Sequence, residues 1–112
     1  MDAYQIEIAR VLANRAFDKQ RITYPELARD ILHYHPTGRG LGKDLWEILA
    51  FTKRRSLPCL TSILVKSGTY SPPEDALAHI RKIYGDVDIP EEQNAVFSFD
   101  WSMQITNSGK IR

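Results

Sequence analysis

Cations crowd one stretch of the chain. Arg39, Lys43, Lys53, Arg54, Arg55 and Lys66 lie between Thr37 and Lys66, against only Asp44 and Glu47 as acids. Gly38, Gly40 and Gly42 are interleaved with the first two of these cations. Guanidinium and ammonium groups beside glycines are chemistry for phosphate, because a glycine backbone lets N–H groups approach an anion that the side chains then neutralise. A nucleotide-hydrolysis loop is a different pattern, Gly-x4-Gly-Lys-Ser/Thr after a strand, and here Asp44 follows Lys43. His33 and His35 are two apart with no cysteine or carboxylate at ligand spacing, and His79 is distant, so neither a metal nor another cofactor is expected. Cys59 stands between Pro58 and Leu60 with no local base or cation to lower its pKa, which makes it a small core residue and leaves no catalytic residue. Trp46 and Trp101 default to burial; an exposed Trp46 would stack on a base, an arginine or a partner protein.

These groups need a scaffold. Leu41, Leu45, Ile48, Leu49 and Thr52 recur along one helical stripe, while Arg39, Lys43, Glu47, Lys53 and Arg54 take the opposite arc with Trp46 at its margin. A solvated polar face on an ordinary core helix satisfies the same pattern. Upstream, Tyr4–Phe17 reads as a first helix with a wide apolar arc. Thr23 and Glu26 form a capping box flanked by a hydrophobic staple of Ile22 and Leu27, which starts a second helix at Tyr24 running to near Tyr34, where Pro36 forbids continuation. His35 to Gly40 is then the turn into the third helix. After the stop at Leu57-Pro58, Leu60–Lys66 reads as a strand with Thr61, Ile63 and Val65 on one face, closed by a turn at Ser67-Gly68. Ser71-Pro-Pro-Glu reads as a second capping box opening a fourth helix that runs through Tyr84 and stops at Gly85. Asp88 caps a fifth, from Ile89 to about Trp101, although Phe97, Phe99, Trp101, Met103 and Ile105 also alternate as a strand would.

The 112 residues suit one domain, expected over 1–106 with a flexible tail at 107–112. Formal net charge is only +1, so the total demands neither nucleic acid nor membrane. Its distribution is uneven, since Asp86 to Asp100 holds five acids and no base. A single cysteine, an N-terminus without a basic start and apolar run, and no apolar run near 20 residues predict a cytoplasmic protein with no membrane partner.

The order of helix, short extended pair, helix, turn, helix, strand, turn and helix predicts a mostly α fold with a small β-hairpin or sheet, a winged-helix-like helix-turn-helix domain. Ile22-Thr-Tyr-Pro-Glu-Leu-Ala, Gly38-Arg-Gly-Leu-Gly-Lys-Asp-Leu, Leu57-Pro-Cys and Val65-Lys-Ser-Gly together resemble the DNA-binding winged-helix half of the O6-alkylguanine-DNA alkyltransferases and alkyltransferase-like proteins, over about Ile22 to Gly85. The resemblance implies Tyr24 at the phosphate of a flipped nucleotide, Arg39 filling the stack, and Cys59 in the acceptor's place. That family follows its acceptor with His-Arg, and here Leu60 and Thr61 follow, so alkyl transfer is not expected. Leu57-Pro-Cys-Leu-Thr-Ser-Ile-Leu-Val also looks like a small domain found alone or beside nuclease modules in bacterial and phage proteins. The expectation is a non-catalytic module that binds DNA through Tyr24, Arg39, Gly40, Lys43, Trp46, Lys53, Arg54 and Arg55. The alternative is a phage or mobile-element adaptor or inhibitor that binds a protein partner, or a second copy of itself, through the basic third helix and the acidic Asp86–Glu92 stretch.

Overall fold

Thr23 and Glu26 close the capping box that their spacing predicts. Thr23 N–H and Oγ1 both reach Glu26 Oε1, at 2.9 and 3.0 Å, and Glu26 N–H returns to Thr23 Oγ1. The staple residues Ile22 and Leu27 are fully buried beneath it. The computed structural model describes residues 2–31 and 41–103, with the side chains of Leu41 and Met103 excepted. Helix α1 covers Ala3–Phe17, strand β1 Ile22–Thr23, α2 Tyr24–Asp30, α3 Leu41–Arg54, β2 Leu64–Val65, α4 Glu74–Tyr84 and α5 Ile89–Ser98. Short 3-10 turns sit at Leu60–Ile63 and Trp101–Met103. The chain is therefore mostly helical with one small sheet, in which β1 and β2 run parallel with Ile22 opposite Leu64 and Thr23 opposite Val65. A hairpin is not what the two strands form.

Four local expectations change. The Leu60–Lys66 strand is instead a 3-10 turn followed by two ladder residues, and every side chain from Leu60 to Val65 is buried. A seven-residue strand needs a partner for every backbone group, and β1 offers two residues; the turn satisfies itself, with Ser62 N–H on Cys59 O at 2.9 Å. The capping box at Ser71 does not form, because Pro73 bars Pro72 from helical geometry. Helix α4 accordingly starts after Pro73, and Ser71 Oγ donates to Pro72 O. Helix α2 ends at Asp30, short of Tyr34, because Ile31 turns extended (φ −94°, ψ 125°) and drops into the core. The His33, His35 and 35–40 turn readings, like that of the tail, lie outside the described residues. Helix α5 ends at Ser98, and among the described members of the alternating run Phe99 takes the extended geometry of the competing strand reading.

The Leu60–Ile63 turn is the hub, packed by α1, α3 and α5. Ile8, Leu12 and Ala16 of α1, Ile48 of α3, Val96 of α5 and Trp101 close around Leu60, Ile63 and Leu64. A smaller cluster of Leu49, Cys59 and Ile80, backed by Ile83, Tyr84, Val87 and Ile89, fixes α4 against α3. Arg15 binds α1 to the α2 region, donating to Arg21 O at 2.9 Å and pairing with Glu26 and Asp30 at 3.6 and 3.8 Å.

Two polar ties finish the frame. Gln93, buried in α5, donates to Ser62 O at 2.8 Å and Tyr70 O at 2.9 Å, and accepts from Arg21 Nε at 2.9 Å. Tyr84 donates its hydroxyl to Thr52 Oγ1 at 2.6 Å and lies 3.0 Å from Leu57 O, which joins the ends of α4 and α3.

Candidate nucleic-acid interface and adjoining cavity

The amphipathic stripe of α3 points the way the sequence predicts. Ile48, Leu49 and Thr52 are buried, and Lys43, Lys53 and Arg54 are exposed, as is Arg55 just beyond the helix. Among the described residues no carboxylate forms an ion pair with any of these four cations. Asp44, which could have covered Lys43, accepts a hydrogen bond from Gln5 Nε2 of α1 at 3.1 Å. Lys53 Nζ lies over the Tyr84 ring at 5.3 Å, and the Arg55 guanidinium over Phe51 at 4.7 Å, contacts that leave the positive charge uncompensated.

The four cations occupy two ends rather than one cluster. Lys43 and Arg54 are eleven positions apart, so they share nearly the same azimuth but are about 16 Å apart along the axis. Lys53 sits about 100° around from Arg54, above Tyr84. Arg39 and Gly40 fall outside the described residues. Gly42 is helical, and a Cβ added there would meet nothing within 4 Å, so crowding does not require its glycine.

Tyr24 and Trp46, named with the cations, belong to a different feature. Both are half-buried and line a cavity of about 370 Å³ between α3 and α4. Gly42, Leu45, Trp46 and Leu49 form one wall, at the i, i+3, i+4, i+7 spacing of a single helical face. Pro73, Asp75, Ala76 and His79 form the other, and Thr61, Leu64 and Tyr24 complete the lining. His79 meets the Trp46 ring edge-on at 4.9 Å, and Lys82 Nζ lies 5.9 Å from its centre. Burial first, and then the negative Asp75, push the Tyr24 phenol above its ordinary pKa. Asp75, His79 and Lys82 went unnoticed in the sequence as site residues, although their i, i+4, i+7 spacing on α4 is a legible stripe.

Cys59 adjoins this cavity without opening into it. It is fully buried, and its Sγ lies 3.6 Å from Thr61 Oγ1. Burial pushes the thiol up to about 12, a shift opposed by contacts with the Thr61 hydroxyl and the Ser62 and Thr61 amides. A protonated, enclosed thiol is a poor nucleophile at neutral pH.

Trp101 is buried and donates its indole N–H to Val96 O at 2.9 Å. Among the described residues no cluster of His, Cys, Asp and Glu could hold a metal ion, and no helix is long and apolar enough to cross a membrane. Compared with protein-family models, curated proteins and solved structures, the chain matches none.

Proposed function

We propose that the chain is a non-catalytic, winged-helix-like module that binds DNA through the outer arc and C-terminal end of α3. The observation that carries this reading is the exposure of Lys43, Lys53, Arg54 and Arg55 without an ion-paired carboxylate among the described residues. Four cations without an ion-paired carboxylate among the described residues, on one helix and its exit in a chain of formal charge only +1, give α3 a positive outer face at each of its ends. Exposed cations of this kind position a protein on a phosphate backbone, and the lone enclosed thiol supports a binding rather than an alkyl-transfer role.

Fluorescence anisotropy on a labelled duplex, repeated across salt concentrations, tests it. Four phosphate contacts give a slope of log Kobs against log salt of about −3 to −4, and Lys53→Ala with Arg54→Ala reduces it by roughly two. Binding that ignores salt, or no binding at low ionic strength, overturns the proposal.

A second reading rests on Asp86, Asp88 and Glu91, exposed around the start of α5. Acids there and cations on α3 make a dipolar surface suited to a charged protein partner or to a second copy of the chain. Light scattering that gives a dimer at low salt and a monomer at high salt favours this reading.

A further inference from the structure

The cavity between α3 and α4 is a second site, independent of the exposed cations. Its volume of about 370 Å³ lies in the range that holds small molecules, and its walls are those of such sites: Leu45, Trp46, Leu49, Leu64 and Ala76 with a few convergent polar groups. Two helices supply opposed walls, and the half-buried indole of Trp46 offers aromatic surface to whatever enters. The polar groups set the sign of the charge. Asp75 has no cationic partner or hydrogen bond among the described residues, and its field already reaches the Tyr24 phenol. Lys82, the cation over Trp46, is not among the described lining residues. The Thr61 hydroxyl adds a group that can accept as well as donate. An anion entering here meets a carboxylate and, His79 apart, apolar walls; a cation meets a carboxylate, a phenol and a tryptophan face.

We propose that this cavity binds a small flat aromatic molecule bearing a cationic amino or amidine group, with the ring against Trp46 and the charged group at Asp75.

Amide and indole NMR shifts of the labelled chain, titrated with tryptamine and benzamidine, test this, with indole, indole-3-acetate and benzoate as controls. Saturable shifts confined to Gly42, Trp46, Ala76 and His79 with the two cations, and none with the two carboxylates, support the proposal. Asp75→Asn, at an exposed first-turn position of α4, is expected to weaken tryptamine roughly tenfold, the scale of a lost charge-assisted hydrogen bond. Should that variant lose its fold by circular dichroism, Ala76→Leu fills the cavity from the α4 wall and is expected to abolish the shifts. Indole binding as tightly as tryptamine, equal binding of the carboxylates, an unchanged affinity in the variants, or no saturable shift with either cation each overturns it.

Discussion

Cys59 gives the most direct check on how the small core between α3 and α4 is closed. Its thiol ordinarily titrates near 9 and is pushed up to about 12 in the fold, chiefly by burial. A raised folded-state pKa means that the folded chain holds the proton more tightly than the unfolded one. Stability from this source is therefore whole below about pH 9 and is lost as pH rises from there towards 12. Integrating the linkage relation from pH 8 to pH 10 gives a loss of about 1 kcal/mol, and the full span to pH 12 gives about 4 kcal/mol. Against a typical total of about 5–15 kcal/mol that is a visible alkaline slope. Tyr24 and Tyr84 are also pushed up by burial and add to the slope above pH 10, so the diagnostic quantity is a difference. Urea unfolding of wild type and Cys59→Ala between pH 8 and 10 isolates it, because the raised tyrosines, Tyr84 beside Cys59 included, hold their protons across that window. The variant is expected to start about 1 kcal/mol less stable at pH 8, from the lost sulfur packing, and to close that gap by pH 10. A parallel offset at all pH values, or rapid labelling of the native thiol by an aromatic disulfide at pH 8, refutes the enclosed-thiol reasoning.

Three further outcomes follow from the frame. Thr23→Ala is expected to cost about 1 kcal/mol and lower Tm by about 4 °C, read by calorimetry, because it removes the hydroxyl half of the α2 capping box. Thr23 N–H, then the Thr23 hydroxyl, hold the Glu26 carboxyl below its ordinary pKa, so that contribution is present above about pH 4.5 and lost on acidification; Glu26→Gln is expected to flatten the acid limb, and an unchanged limb would count against the box. Gln93→Leu is expected to cost about 2–3 kcal/mol in urea, since Ser62 O loses a buried donor and Arg21 its acceptor; a cost under half of that would mean the tie is not formed. Gly42→Ala is expected to raise stability by roughly 0.5–1 kcal/mol, because a Cβ there meets no neighbour and the helix gains a better former.

What was legible in the sequence is what local chemistry decides. The box and staple at Ile22–Leu27, the stop at Gly85 (φ 84°) and the Asp88 cap, which accepts Glu91 N–H at 3.0 Å, each rest on groups within a few residues of one another. Ser71 read as a cap by the same logic and failed, because a stronger local rule, the bar on helix before proline, operates at Pro72-Pro73. Leu60–Val65 was illegible for another reason. An uncharged apolar run buried on all sides fits a core strand or a core turn equally, and the choice falls to how many partner residues the rest of the fold can offer. Here β1 is two residues long, so two residues pair and four curl. Gln93 was equally hidden, its partners being 31 and 72 positions away.

The site divides along the same line. That Lys43, Lys53 and Arg54 face away from Ile48 and Leu49 follows from helical period alone, and so their exposure was legible. The cavity could not be found that way, because neither of its walls is unusual by itself. Gly42, Leu45, Trp46 and Leu49 look like the margin of a core stripe, and Asp75, Ala76 and His79 like a solvated face of α4. They become a site only because Leu49, Cys59 and Ile80 clamp the two helices at one level while Pro73, barring helix before it, delays the start of α4. Tyr24 and Trp46, expected with the cations to meet nucleic acid, line that space. Contacts through the exposed cations and occupancy of the cavity are thus separable: Lys53→Ala with Arg54→Ala is expected to leave tryptamine binding unchanged, and Asp75→Asn to leave the salt slope of DNA binding unchanged. A shared response to either change would mean that α3 couples the two surfaces, and that its helical face does not divide as its periodicity implies.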